Sequence, residues 1–369
     1  MNIRTIMLKN ESLYANYATF DKNAIRLKPH TPDMRPEFFR DIDRIIHTPA
    51  YTRYMDKTQV FSINSNDNIS KRMTHVQLVS KIARTIGRAL SLNEDLIEAI
   101  ALGHDLGHVP FGHEGEYILN EISQKHGEGN FCHNVQSVRT LMVLENKNIT
   151  IQVLDGILCH NGEFVSNLYQ PRKKTSQALL SDYETCYQDL SHAENLVPMT
   201  LEGCVVRISD IIGYLGRDIE DAAKIGVFDI NNLPEEITKV IGNSNKNIIN
   251  NIILDIINNS LGKPYIKLSQ EMYDTIVKLK KFNYQNIYHK ANTKKALASY
   301  KLMFNSLFDK LIIVLTKQDL KQNIYQHFLK YMDDDYLNTT SDTRKIIDYI
   351  AGMTDDYFLK EYRKLKTYQ

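Results

Sequence analysis

Residues 200–226, TLEGCVVRISDIIGYLGRDIEDAAKIG, constrain the fold more than any other stretch. At 100° per residue, Asp210, Tyr214, Asp218 and Asp221 fall within an arc of about 80°. Val205, Ile208, Ile212, Leu215 and Ile219 gather on the opposite side. This is an amphipathic helix. On pattern alone its acidic face is a solvated one. The alternative is a face that lines a pocket, with Asp210 reaching a metal and Tyr214 and Asp218 holding a ligand.

The same periodicity recurs along the chain. A helix from about Arg72 to Leu90 takes its apolar face from Met73, Val76, Val79, Ala83, Ile86 and Leu90, with His75 in its first turn. Thr74 and Gln77 have capping-box spacing. Asn93 is placed to cap the next helix, with Glu94 and Asp95 in the first turn. Helices are expected over 131–146, over 149–164 ending near His160, and after Ser244, where Ile248, Ile252 and Ile256 make a stripe in an asparagine-rich segment. Residues 165–180, with RKK at 172–174, read as a mobile basic loop. There is no strand-rich region, no repeat and no Gly-rich nucleotide loop. The expected fold is all-α: an extended arm over 1–35, a helical core over 36–235, and a helical region over 236–369 packed on that core.

A formal net charge of +1 provides no global field for nucleic acid or an acidic membrane, so any anionic ligand must be held by a local cluster. Cys132, Cys159, Cys186 and Cys204 show no C-x-x-C spacing and read as free thiols in a reducing compartment. No apolar run reaches the length of a signal peptide or a membrane span. A cytoplasmic location is expected.

The chemistry concentrates in His104–Glu116, HDLGHVPFGHEGE. Ile97, Ile100, Ala101 and His104 follow at i, i+3, i+4 and i+7, which puts His104 on the core-facing stripe with Asp105 beside it. An inward carboxylate needs a partner, because an unpaired buried charge is costly. Taken alone, His104 and Asp105 read as a buried pair bonded to each other or to the backbone. Imidazole and carboxylate are also ligands of divalent metals, and His is the side chain that best moves a proton near neutral pH.

His75, then His104-Asp105, then Asp210 is an H…HD…D order. With it go the longer segments HDLGHVPFGHEGE, FCHNVQS, SDIIGYLGRDIEDA and DYIAGMTDDYF, and also RDIDRIIHTPAYTRYMDKTQVF and PMTLEGCVVRISD. Together they resemble the HD-domain deoxynucleoside triphosphate triphosphohydrolases, the bacterial dGTPase-like branch. The likeness spans about residues 40–226 and returns at 344–358.

The resemblance implies roles. His75, His104, Asp105 and Asp210 would hold one divalent cation, Mn2+, Mg2+ or Fe2+. His108, His113, Glu116 and His133 would surround the phosphates, with His113 and Glu116, i and i+3 on one helix, as an acid/base or water-positioning pair. Arg72 would pair with phosphate oxygens. Gln59, Tyr214 and Asp218 would read the deoxyribose. His160 is left undecided as a supporting residue, and His126 and His192 are read as surface residues. Arg217 stands where the family usually has histidine. The second half offers lysines, Lys294, Lys295 and Lys301 among them, in place of arginine-rich phosphate contacts.

The expected activity is hydrolysis of a dNTP to deoxynucleoside and inorganic triphosphate. A homo-oligomer, with a hexamer as one form, and a nucleotide effector are implied by resemblance only. The same fold could serve another HD phosphohydrolase activity on a monophosphate, a cyclic nucleotide or an alarmone. A different class, a regulatory nucleic-acid-binding protein with a vestigial site, is disfavoured by the near-neutral charge, and single-stranded nucleic acid as a partner has no support in the sequence.

Overall fold

The computed structural model describes residues 2–61, 68–161, 165–288 and 294–365. Its helices form where apolar residues recur at helical spacing, and most begin at a side chain that caps them. Those used below are α1 (Glu37–Ile46), α2 (Arg72–Ala89), α3 (Glu94–Gly103), α4 (Gly112–Lys125), α5 (His133–Arg139), α6 (Ile151–Leu158), α7 (Leu201–Lys224), α8 (Asn245–Ser260), α9 (Lys294–Thr316) and α10 (Asp342–Ala351).

The Asn93 side chain accepts from the amides of Asp95 and Leu96, and Thr200 and Ser244 cap α7 and α8 in the same way. Such caps each contribute roughly 1 kcal/mol. The capping box expected at Thr74 does not form. α2 starts at Arg72 as expected, with Lys71 at its N-cap, so Thr74 lies in the first turn and Gln77 bonds the Tyr51 hydroxyl instead. The helix expected over 131–146 stops being α-helical at Arg139 and finishes as a π turn over Thr140–Leu144. The helix expected over 149–164 ends at Leu158, so His160 stands just past its C-terminus.

The strand content of the described residues is slight. Leu168–Tyr169 pairs antiparallel with Ile266–Lys267, in the register Leu168 to Lys267 and Tyr169 to Ile266.

α7 is the spine. It packs on α2, α3, α6 and α8, and α3 packs in turn on α1, α2 and α6. Ile97, Ile100 and Ala101 of α3 are wholly buried, as are Val205, Ile208, Ile212 and Leu215 of α7. Each buried Val, Ile or Leu contributes about 1.5–3 kcal/mol from water exclusion. This first core runs on through Ile237, Ile248, Ile252, Ile256, Ile276 and Ile287. Residues on both sides of 235/236 thus share the first core, and a second core draws on residues 109–131 as well as on residues from 300 onward.

That second core joins α4 to α9 and α10 through Phe111, Ile118, Phe304, Phe308, Ile346 and Phe358. The residues near 344–358 that resembled a family segment act as braces here. Asp348, completely buried, receives Arg139, Gln136 and the Tyr336 hydroxyl. Asp355 accepts from the amide of Phe111 at 3.1 Å.

Two other segments differ from expectation. Residues 1–35 are not an extended arm. They contain a short helix, Ile3–Met7, and are tied to the core by Arg26, which pairs with Asp41 at 2.6 Å and with Glu37 at 2.8 Å. Within the stretch expected to be a mobile basic loop, Lys174 is buried between Asp155 (2.7 Å) and Asp182 (3.1 Å).

Candidate active site

Three helices deliver the first cluster. α2 brings His75 and Arg72, the end of α3 brings His104 and Asp105, and α7 brings Asp210. The turn after α3 can lie this close to α5 because residue 107 is glycine: a Cβ there would stand 2.3 Å from the His133 carbonyl oxygen and the Ser137 amide nitrogen. The turn is held by Ser137, whose hydroxyl accepts from the Gly107 amide (2.8 Å) and donates to the His104 carbonyl (2.6 Å).

His104 donates from Nδ1 to the Ala101 carbonyl at 2.6 Å. This fixes its tautomer and aims Nε2 inward. That Nε2 is buried and makes no hydrogen bond, although Asp105 Oδ1 stands 3.3 Å away and Asp210 Oδ1 3.7 Å away. His75 Nε2 lies 2.9 Å from Asp210 Oδ1 and 3.8 Å from Asp105 Oδ2. Two imidazoles and two carboxylates therefore converge on one point.

The electrostatics favour positive charge there. Burial alone would raise the Asp105 carboxyl, yet His104, His108 and Arg72 hold it well below its ordinary range. Burial opposes protonation of His104, but Asp105 and Asp210 outweigh it and push the imidazole up to about 9. An unpartnered inward imidazole nitrogen between two ionised carboxylates suits a divalent cation, so the residues present fit a metal.

Arg72 is not directed at open space. It is 1% exposed, its Nη1 bonds Asp105 Oδ2 at 2.5 Å, and its Nη2 bonds the Thr58 carbonyl at 3.0 Å. Its placement orients Asp105.

The second cluster adjoins the first. His108 Nε2 is 3.3 Å from Asp105 Oδ1, and its ring stacks on His133 with centroids 4.0 Å apart. Glu116 accepts from the His133 amide at 2.7 Å and from His133 Nδ1 at 2.9 Å. His113 Nδ1 stands farther from it, at 3.4 Å, with its side chain 62% exposed. Burial would raise Glu116, but His133 and His113 hold it well below the usual range. The expected His113–Glu116 pair is present, but the carboxylate's closer partner is His133.

His160, undecided from sequence, is inside the site. Its Nδ1 donates to the Ile157 carbonyl (2.6 Å), and its Nε2 faces His133 Nε2 at 3.1 Å. Burial, with His104 and His133 adding to it, lowers its pKa to about 3. Only its place at the end of a buried helix could have signalled this.

The residues expected to read a sugar lie near α7. Asp218 is buried, and its Oδ2 accepts from Tyr288 at 2.6 Å, a partner the sequence did not reveal. Tyr214 is half-buried on the same helix. Gln59 carries a buried Oε1 that makes no hydrogen bond. Arg217 bonds Ser70 at 2.5 Å. Lys301 pairs with Glu121 at 2.6 Å, and the side chains of Lys294 and Lys295 lie outside the described ones. His192 pairs with Asp182, and the His126 ring packs on Phe308.

Burial raises the Asp218 carboxyl to about 7, with Asp221 and Asp210 adding to it against the Tyr288 hydrogen bond. A carboxyl raised on folding holds its proton more tightly in the native state. Its contribution to stability is thus full below its ordinary value of 3.8 and is lost as pH rises through about 7. Urea unfolding across about pH 4–8 should therefore show a decline that flattens in Asp218→Asn. Equal pH slopes for the two proteins would refute the assignment.

The HD domain family matches residues 72–214, and the phosphohydrolase-associated domain matches residues 266–364. A deoxyguanosinetriphosphate triphosphohydrolase-like protein of Caldanaerobacter subterraneus subsp. tengcongensis is 37% identical over 337 residues, covering 90% of this chain and 86% of its own. The chain belongs to the HD-domain, dGTP triphosphohydrolase-like family. Relatives of the same name in Clostridium perfringens (36%, with 94% of this chain and 91% of the relative covered) and Rickettsia rickettsii (31%, 96% and 98%) extend the match to nearly the whole length. Membership makes the chain a phosphohydrolase of all-helical fold. The HD domain match opens at Arg72 and closes at Tyr214, and so contains His75, the His104-Asp105 pair and Asp210. Among the described residues, no helix is long and apolar enough to cross a membrane.

Proposed function

We propose that the protein hydrolyses a deoxynucleoside triphosphate, dGTP-like in class, at the α-phosphorus, releasing deoxynucleoside and intact inorganic triphosphate. The observation that carries this reading is one shared carboxylate oxygen. Asp105 Oδ1 lies 3.3 Å from His104 Nε2 in the metal-fitting set and 3.3 Å from His108 Nε2 in the His/Glu cluster. Phosphate activation and proton transfer are thereby in contact.

His75, His104, Asp105 and Asp210 would hold one divalent cation, which supplies Lewis-acid charge against the negative charge building on the phosphoryl oxygens. The protein's own groups do the rest. Glu116 orients His133 and His113, which remove a proton from the attacking water and return one to the departing 5′-oxygen. The water oxygen forms the new bond to the α-phosphorus as the bond to the 5′-oxygen breaks. Arg72 keeps Asp105 ionised and in place.

Spacing along α7 supports the α-phosphorus. Tyr214 and Asp218 follow Asp210 by one and two turns, and four residues of helix rise about 6 Å. That is about the reach from a sugar to its own α-phosphate. A cation at Asp210 with the sugar at Tyr214 is too close to serve the γ-phosphate of an extended tail. Asp218 would bond the 3′-hydroxyl, while the Tyr214 ring crowds the 2′ position.

Phosphorus NMR of early products tests this. Triphosphate with deoxynucleoside is expected from dNTPs, and little product from ribonucleotides. Early pyrophosphate or orthophosphate would overturn the proposed site of cleavage.

A further inference from the structure

We infer that His160 is a fifth protein donor to the divalent cation, completing a set of three imidazoles and two carboxylates. The inference rests on the metal-dependent reading above.

His160 is built as His104 is built. Each stands just past the C-terminus of a buried helix. Each donates Nδ1–H to the carbonyl three residues back, Ala101 for one and Ile157 for the other, both at 2.6 Å. Each is 0–1% exposed. A neutral imidazole whose outer nitrogen is fixed by a carbonyl presents the other nitrogen as a lone pair in a set direction, which is how ligating histidines are held.

The distances fit. Donors about 2.0–2.2 Å from a common ion stand roughly 3–4 Å apart. His160 Nε2 is 3.9 Å from Asp105 Oδ1, and the ligand atoms of His104, Asp105 and His160 all lie within 4.8 Å of one another. The rings of His104 and His160 meet edge-on, with centroids 4.9 Å apart.

The environment also calls for positive charge at this nitrogen. His160 Nε2 faces His133 Nε2 at 3.1 Å. The outer nitrogen of each ring is already engaged, His160 by a carbonyl and His133 by Glu116. Two imidazole lone pairs at that separation repel unless a cation or a proton lies at their mouth. A cation held here would leave His133 beside the donor set, able to hydrogen-bond an attacking water. A shared proton makes His160 only a support for His133.

Cobalt(II)-loaded full-length protein distinguishes the two. X-ray absorption should count three imidazoles in the wild type and two in His160→Gln. Proton NMR of the cobalt protein should lose one strongly shifted exchangeable imidazole N–H in His160→Gln and keep the others. Cobalt affinity should weaken by on the order of 10–100-fold. Affinity alone does not decide, since a supporting residue weakens binding to a similar extent; the imidazole count does. Two imidazoles in the wild type, with cobalt bound, overturn the role of His160 and leave the metal reading intact. A wild type that takes up no cobalt overturns both. The wild-type count requires no variant to fold.

Discussion

Replacing His104 or Asp105 by alanine should leave the protein with neither bound metal nor turnover. The two residues provide the Nε2 and the carboxylate oxygens that meet the His75–Asp210 pair, and all four groups are at most 8% exposed. Losing one imidazole opens the site. Losing Asp105 also strands Arg72, which is 1% exposed and bonded to that carboxylate. Breaking a buried pair from one side costs about 3–5 kcal/mol. Asp105→Ala should therefore melt lower than His104→Ala, a second signature separate from activity. Asp105→Asn keeps the shape and restores part of the stability without the charge. Elemental analysis beside a thermal melt checks all three. Metal at wild-type occupancy in both alanine variants would falsify the ligand assignment.

How far the sequence could be read follows from what each feature depends on. α3 and α7 were legible because their apolar residues repeat at helical spacing and their caps, Asn93 and Thr200, are side chains adjacent to them in the chain. The set proposed to hold a metal reads as an order along the chain, H…HD…D, and the structure places His75 and His104 within 4 Å of carboxylate oxygens of both Asp105 and Asp210. The register of Thr74 was not legible. A capping box is a weak local preference, and the helix already begins at Arg72, where the apolar periodicity placed it, so Thr74 falls inside its first turn.

Arg72 shows the same limit in its chemistry. A guanidinium near an anion site reads as a phosphate ligand, but a buried carboxylate made a stronger claim on it. Lys174 read as part of a solvated basic loop, yet Asp155 and Asp182 bury it. Tyr288 and His160 had no local signal, because their roles exist only once residues 70 and 27 positions away, Asp218 and His133, are folded against them. Long-range polar pairing is what the sequence does not state.

Glu116→Ala should keep its metal and lose on the order of 10²–10⁴ in rate, the usual share of a positioned acid or base. The sequence paired this carboxylate with His113, three residues back. The structure gives it two histidines, His133 at 2.9 Å and His113 at 3.4 Å, and a backbone amide of His133 at 2.7 Å. Its removal therefore frees both rings, and the loss should be at least as large as in His113→Ala or His133→Ala. Groups that act as one unit lose their effect together, so Glu116→Ala combined with His133→Ala should be little worse than the first change alone. The ion held by His75, His104 and Asp210 should be retained, because Glu116 belongs to a separate group of potential ligand atoms, with His108, His113 and His133. The two imidazoles then separate by exposure. His113, at the rim with its side chain 62% exposed, is placed to meet the leaving 5′-oxygen, and His133, 13% exposed beside His108 and His160, the attacking water. A better leaving group should therefore rescue His113→Ala and not His133→Ala. Rescue of both, or a Glu116→Ala enzyme faster than His113→Ala, would remove Glu116 as the organiser of the pair.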